Sequence, residues 1–168
     1  DRVFKPFMLA KLHACGVGSA FLNFLDAYLS PRQGQDVVQG AYSDCFEIKN
    51  SVFQGTVLGP PLWNTFFADV STPASSTGGR EAMFADDLNV FQEFARLQPA
   101  SECQDQLERC RGRVHSWGKA NRVIFDASKE PMVLLHPSES LVGLFKLLGC
   151  IINVDLRMHS AVEQVLSK

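Results

Sequence analysis

Apolar residues that recur at three- and four-residue steps predict two amphipathic helices near the start of the chain. The first covers residues 7–15 and is closed by Gly16, a residue suited to the left-handed conformation that often ends a helix. Ser19 is an N-cap candidate for the second, and Ser30-Pro31 is a stop signal for it. The pattern therefore predicts a helical pair here.

Three further helices are predicted by the same spacing. Pro61 suits the first turn of a helix from Leu62 to about Val70, and a last amphipathic helix covers residues 159–166. Between them lies the clearest helix, which starts at a capping box and carries one apolar stripe. The capping box consists of Pro99, Ser101 and Gln104, and the stripe of Cys103, Leu107, Cys110, Val114 and Trp117.

Short apolar runs bounded by turn residues predict strands. They fall at residues 35–39 and 45–49 around a turn at 40–44, at 123–125, at 132–135, and at 145–153 with a break at Gly149. The small-residue segment 71–79 is expected to be a loop. Helices and strands mix without strict alternation, which predicts an α+β fold with helices on one face of an antiparallel sheet. Residues 1–168 are interpreted as one domain or part of one.

Composition and charge set limits on function. With 168 residues, of which 46% are hydrophobic, the chain is long enough for a globular core. Its formal net charge of −2 is not the basic excess typical of a self-sufficient nucleic-acid binder. If the chain handles nucleic acid, most of the phosphate-binding charge must lie elsewhere.

The five cysteines are odd in number and show no C-x-x-C spacing. This argues against a zinc site or a disulfide framework and favours a reducing, intracellular compartment. Cys103 and Cys110 share one helix face, where burial is expected. No stretch reaches the roughly 20 apolar residues of a membrane span, and the N-terminus does not resemble a signal peptide. The chain begins with Asp1 rather than Met, so we expect a piece of a longer protein.

Two adjacent carboxylates, Asp86 and Asp87, lie between the apolar segments 82–85 and 88–91. This pattern predicts a strand, a tight turn and a second strand, with the acidic pair at the tip. Mg²⁺ commonly binds one or two carboxylates together with substrate phosphates, the chemistry of nucleotidyl transfer. Taken alone, the pair is more often an ordinary turn.

Several segments carry a family resemblance. They are, in order, Asp1-Arg2-Val3, Gln54-Gly55-Thr56-Val57-Leu58-Gly59-Pro60, Leu62-Trp63-Asn64, Phe67-Ala68-Asp69-Val70, Phe84-Ala85-Asp86-Asp87, the set Trp117, Asn121, Phe125 and Lys129, and Leu147-Leu148-Gly149. Each is weakly specific, but together and in this order they resemble the reverse transcriptase domain of non-LTR retrotransposons and related retroelements. The resemblance spans essentially the whole chain.

The resemblance implies a reverse transcriptase palm, a ferredoxin-like antiparallel sheet with helices on one face. It also implies incomplete fingers and the start of a thumb region at the C-terminal end. The implied activity is RNA-directed DNA polymerisation, a two-metal nucleotidyl transfer onto a primer 3′-hydroxyl. Mg²⁺ or Mn²⁺ is the implied cofactor. The implied partners are an RNA template, a DNA primer, dNTPs and the rest of the retroelement polyprotein, with no membrane.

The resemblance also assigns roles to residues. Asp86 and Asp87 are implied to be catalytic metal ligands, with Asp86 the more direct. Gln54 and Gly55 are implied to lie near the template and the incoming nucleotide, although a simple turn before a helix also explains them. Lys129 is implied to assist the leaving pyrophosphate, although a solvated surface charge explains it equally well.

Other matched positions stay open. Trp117 and Phe125 fit a core role better than a base-stacking one. Residues 147–149 fit either a primer-gripping hairpin or a plain buried strand.

The chain departs from the family pattern in several places. Phe53 stands where proline is usual and Pro61 where an apolar residue is usual, on either side of the loop at Gln54-Gly55. Lesser departures are Glu130 for threonine and Leu147 for tyrosine. The family's first catalytic Asp falls before Asp1, so we expect this fragment alone to be inactive. The alternative function is that of an inactive or co-opted retroelement relic that serves as a non-catalytic binding or structural module.

Overall fold

A computed structural model of the chain describes residues 3–48, 52–53, 55–135, 144–147, 150–153 and 159–166. The fold divides into two compact units. The first unit consists of Asp1–Val70 and Ser116–Ile124, and the second of Ser71–His115 and Phe125–Lys168. The interpretation of residues 1–168 as one domain or part of one stays a prediction.

The helices of the first unit are α1 (Lys5–Ala14), α2 (Ser19–Tyr28) and α3 (Gly59–Phe67), with a 3-10 turn over Ala68–Val70. They fall where the apolar spacing predicts them, and Gly16 follows α1 at a positive φ of 85°. The predicted cap of α2 is wrong, because Gly18 is the N-cap and Ser19 is the first helical residue.

These helices enclose an apolar core. Packing of α1 against both α2 and α3 buries side chains from all three helices. The buried cluster contains Val3, Met8, Leu12, Leu25, Leu29, Val52, Leu62 and Phe66.

Four short strands, together called the β arm, lie between α2 and α3 in the chain. Its strands are β1 (Arg32–Gly34), β2 (Val37–Val38), β3 (Ala41–Tyr42) and β4 (Phe46–Ile48), with β1 paired to β4 and β2 to β3. The turn at its tip uses Gln39 and Gly40, both at positive φ, the combination that a type I′ hairpin turn requires. The hairpin was predicted, and its turn lies slightly earlier than the predicted 40–44.

The second unit begins with the short helix α4 (Ser71–Ser75), where a loop was predicted. Ala74 is fully buried, so tertiary packing overrides the small polar composition of the segment. Two strands follow, β5 (Arg80–Phe84) and β6 (Asp87–Phe91), and then the long helix α5 (Ala100–Asn121). The end of α5, from Ser116 onward, belongs to the first unit.

The predicted stripe of α5 is largely confirmed, because Cys103, Cys110 and Val114 are buried. The predicted capping box is wrong in detail. The helix already begins at Ala100, so Ser101 lies inside its first turn rather than at the N-cap.

The chain after α5 differs most from expectation. The strands predicted at 123–125 and 132–135 are wrong, because no strand forms there in the described chain. The Val123 amide donates to the Gly118 carbonyl over 2.8 Å, which closes α5, and a 3-10 turn follows over Ala127–Lys129. The Val123 amide, which a strand at 123–125 would pair with a neighbouring strand, is therefore used to close α5.

The last elements are β7 (Leu144–Leu147), β8 (Cys150–Asn153) and α6 (His159–Leu166). β7 and β8 pair antiparallel, with Leu147 opposite Cys150, as the predicted break near Gly149 requires. Leu148 and Gly149 themselves lie outside the described residues.

The architecture agrees with the predicted α+β class. Among the described residues every strand pair is antiparallel, and the remaining regular structure is helical. The described strands form four separate two-stranded sheets rather than one continuous sheet. No helix in the described ranges is long and apolar enough to cross a membrane.

Candidate functional site

The acidic pair lies at the tip of the β5–β6 hairpin, as the sequence predicts. Phe84 pairs directly with Asp87, so the connecting turn contains only Ala85 and Asp86. Cross-strand partners share one face of a ladder, so Asp87 lies on the same face as Phe84. Both carboxylate residues are exposed. The hairpin thus presents two adjacent acids at its end.

The turn that carries the acids is conformationally costly. Ala85 has a φ of 55°, in the left-handed region that glycine and asparagine favour. A residue with a Cβ held there costs roughly 1–2 kcal/mol, and such outliers concentrate at functional sites. The neighbouring strand pairs hold Ala85 in this geometry and thereby fix where Asp86 and Asp87 project.

The hairpin alone does not build a closed metal cage. Within the described ranges, no group of three or more His, Cys, Asp or Glu side chains comes together to hold a metal ion. The donor set at the tip is two exposed carboxylates. Mg²⁺ fits such a set, since it commonly takes one or two carboxylates and fills its remaining positions with water and substrate phosphates.

The glycine turn before α3 has the geometry that its sequence suggests. Gly55 has a φ of 77°, and a Cβ added there would meet no atom within 4 Å. Its neighbour Gly59 is packed closely, because a Cβ there would lie 2.9 Å from the Phe53 carbonyl oxygen. The Thr56 hydroxyl donates to that same carbonyl over 2.7 Å. The turn is therefore open at Gly55 and tight at its base; Gln54 lies outside the described residues.

Lys129 lies on the 3-10 turn of the second unit, with 82% of its side chain exposed. Its ammonium nitrogen is 3.8 Å from the Asp126 carboxylate. The Ser128 side-chain hydroxyl, followed by the Ser128 backbone N–H, donates to that carboxylate and lowers the pKa of Asp126. The structure records no contact between Lys129 and the acidic pair among the described residues, so a catalytic role stays a prediction.

Trp117, one of the residues that carry the family resemblance, packs against an aromatic ring and also donates a hydrogen bond. The Trp117 ring packs edge-on against Phe67 at 5.1 Å, and its indole N–H donates to Asp69 over 3.1 Å. The Lys11 ammonium lies 2.6 Å from the same Asp69 oxygen and 5.0 Å from the Trp117 ring centre. This supports the core interpretation of Trp117 over a base-stacking one. No sequence pattern indicates Lys11, because its partner Asp69 is distant in the chain.

Two further groups were also missed. His115 Nε2 lies 2.7 Å from Glu130 Oε2, so the residue that departs from the family threonine has a specific partner here. The Arg32 guanidinium stacks on Phe53, another departure. No signal in the sequence joins either pair, because both are contacts between separate elements.

Comparison with known proteins yields a distant relative. The chain is 27% identical over 134 residues to the RNA-directed DNA polymerase from mobile element jockey of Drosophila funebris. The similarity supports a relation to retroelement reverse transcriptases. The alignment covers 77% of this chain, so it must include the central hairpin with Asp86 and Asp87, and it covers 14% of the relative. No family model matches the chain, and no solved structure matches it significantly.

Proposed function

We propose that this chain is part of the palm of an RNA-directed DNA polymerase, which extends a DNA primer on an RNA template with dNTPs. The observation that carries the proposal is the similarity to the jockey polymerase, whose extent includes the Asp86-Asp87 hairpin. The α+β class and the exposed acidic tip are compatible with it. The polymerase activity is named for a much longer relative, and we assign it to this chain only as part of the proposal.

In this proposal Asp86 and Asp87 hold divalent cations, Mg²⁺ or Mn²⁺. When bound, such ions activate a primer hydroxyl and neutralise the charge on the triphosphate. The protein's contribution is to place both carboxylates at one hairpin tip, which the two-residue turn between the paired strands provides. Their exposure leaves room for substrate oxygens in the remaining coordination positions.

The glycine turn is the proposed neighbour of the template and the incoming nucleotide. Gly55 has no side chain and an open surrounding, so a backbone or base can approach it closely. Gln54 is also proposed to contact the template. Lys129 is proposed to place positive charge near the leaving pyrophosphate, for which its exposed side chain is suited.

The decisive experiment is a chimera of the jockey polymerase in which the aligned segment is replaced by this chain. The readout is Mg²⁺-dependent dNTP incorporation on an RNA template with a DNA primer. We expect activity in the chimera and a loss of at least about 100-fold on Asp86→Asn, because a metal ligand stabilises the transition state by several kcal/mol. Asp105→Asn, which removes another exposed acid, on α5, is the matched control and should keep full activity.

A second readout needs no catalysis. Mn²⁺ added to the isolated chain should broaden the amide NMR signals of residues 84–88, and the Asp86→Asn, Asp87→Asn double variant should abolish the broadening. An active chimera that tolerates Asp86→Asn would contradict the catalytic assignment. A folded chimera without activity would instead favour the non-catalytic relic as the function.

A further inference from the structure

Arg32, the first residue of β1, is held in an unusual aromatic environment. Its guanidinium carbon lies 3.9 Å from the centre of the Phe53 ring and 5.3 Å from that of Tyr28. Its Nη2 donates to the Tyr28 carbonyl over 3.1 Å, at the C-terminal end of α2. The two rings pack edge-to-face at 5.8 Å. We refer to Tyr28, Arg32 and Phe53 together as the arginine cradle.

The charge of Arg32 is fixed in place but not neutralised. In the described part of the chain the Arg32 side chain makes one hydrogen bond and no ion pair with a carboxylate, and the residue is exposed. A guanidinium has five N–H donors, so most of its hydrogen-bonding capacity is open to a ligand. The two lysines of α1, Lys5 and Lys11, are by contrast already paired with Asp26 and Asp69.

The position of the cradle suggests which ligand it takes. Phe53 is two residues before Gly55, so the cradle adjoins the open glycine turn. On its other side, Tyr28 stacks on Phe24 at 6.0 Å and Phe24 on Phe21 at 5.7 Å, and the Phe21 and Phe24 side chains are each about half exposed. Aromatic side chains beside a fixed positive charge are typical of single-strand nucleic-acid binding.

We propose that the arginine cradle is a phosphate-binding point for a single-stranded RNA template beside the Gly55 turn. This inference rests on the proposed function and names a residue that would hold its template. The planar guanidinium can bind two phosphate oxygens through parallel N–H donors, and stacking on Phe53 orients that donor edge. Because proline at position 53 would offer no aromatic ring, the cradle depends on a residue that departs from the family pattern.

The local charge balance supports this location despite the acidic chain. The first unit contains seven Lys and Arg against six Asp and Glu, a net charge of +1. The second unit contains nine against twelve, a net charge of −3. A phosphate backbone therefore meets less repulsion on the unit that carries Arg32 than the total charge suggests.

The test measures binding of a fluorescein-labelled oligouridylate to the chain by fluorescence anisotropy at several KCl concentrations, without metal, primer or dNTP. Arg32→Ala should weaken binding about tenfold at low salt, because a charge-assisted hydrogen-bonded contact is lost. The slope of log K against log salt should fall by about 0.7, the value for one phosphate contact on a single strand. Arg32→Lys and Phe53→Pro should both lose affinity, since charge without stacking is not enough.

Arg122→Ala is the matched control. Arg122 is also exposed, belongs to the same unit and stacks on a phenylalanine, with its guanidinium carbon 3.8 Å from the Phe4 ring centre. Its loss should leave the affinity within about twofold. If Arg32→Ala fails to fold, the Arg32 side-chain NεHε signal of the unchanged chain gives the second measurement, and it should shift on addition of oligouridylate.

Three results would overturn the inference: no binding by the unchanged chain, the same affinity and salt slope after Arg32→Ala, or an equal loss after Arg122→Ala. The first two would leave Arg32 as a residue that merely closes the C-terminal end of α2. The result of this binding test can be told apart from the result of the polymerase assay. Arg32-dependent RNA binding in a chain whose chimera is inactive would refute the proposed catalysis and keep the cradle.

Discussion

At the scale of single residues, short polar contacts decide the conformation where the apolar pattern is weak. Asp126 shows this after α5, where its carboxylate accepts from both the backbone N–H and the hydroxyl of Ser128. Val123 is part of an apolar run that resembles a strand, yet its amide closes α5. The apolar periodicity predicts that Cys103 and Cys110 lie on a buried helix face. It does not predict these polar contacts, because periodicity indicates burial and not hydrogen bonding.

The Asp126 contact has a measurable consequence for ionisation. Hydrogen bonds from Ser128 lower the pKa of Asp126 in the folded chain, so this turn is stabilised at pH values above the unfolded pKa. The stabilisation is lost as the pH falls through the lower, folded value. Carboxyl-carbon NMR titration should show a higher Asp126 pKa in Ser128→Ala than in the unchanged chain. An identical Asp126 pKa in the two chains would contradict the role of Ser128. Ser101→Ala, which removes a serine hydroxyl on α5, is the control and should leave the Asp126 pKa unchanged.

At the scale of elements, α4, the β5–β6 hairpin and α5 meet at Gly79. A Cβ on this buried residue would lie 3.0 Å from the Ala74 carbonyl oxygen, 3.0 Å from Val90 Cγ1 and 3.5 Å from Cys110 Sγ. The sequence suggested only that residues 71–79 are small and polar. It gave no sign that the smallness serves a close approach between elements, because such an approach depends on the tertiary fold.

Gly79→Ala should therefore destabilise the chain by about 1–3 kcal/mol, the usual cost of overpacking a tight site. Urea unfolding followed by circular dichroism measures the change. Gly112→Ala is the matched control, because a Cβ at this exposed position within α5 meets nothing within 4 Å. There alanine should stabilise the helix by about 0.5–1 kcal/mol. Equal effects of the two variants would show that packing at Gly79 does not matter.

At the scale of the whole molecule, each of the two units has its own buried side chains. Those of the first include Leu25 and Phe66, both with 0% exposure, and those of the second include Ala74 and Cys103. Amphipathic spacing predicts the helices that supply Leu25, Phe66 and Cys103, but not α4, which supplies Ala74. It did not find the division into units or the separation of the strands into pairs, because both depend on contacts between distant segments.

Phe66→Ala tests the core of the first unit. Removing this fully buried ring should cost about 3–5 kcal/mol in the free energy of unfolding, through lost burial and the cavity left behind. Phe24→Ala removes the same side chain from a half-exposed position on α2 and should cost less than half as much. Chemical denaturation measures both. Similar losses of unfolding free energy for the two variants would show that Phe66 is not a core residue.

The β arm has a practical consequence. Its tip turns at Gln39 and Gly40, and the Val37, Val38 and Tyr42 side chains around it are each more than half exposed. Exposed turns of this kind are the places where extra residues interfere least with a fold. The tip is thus the natural position for an inserted affinity tag or fluorophore, which would leave both chain ends and the acidic hairpin unaltered.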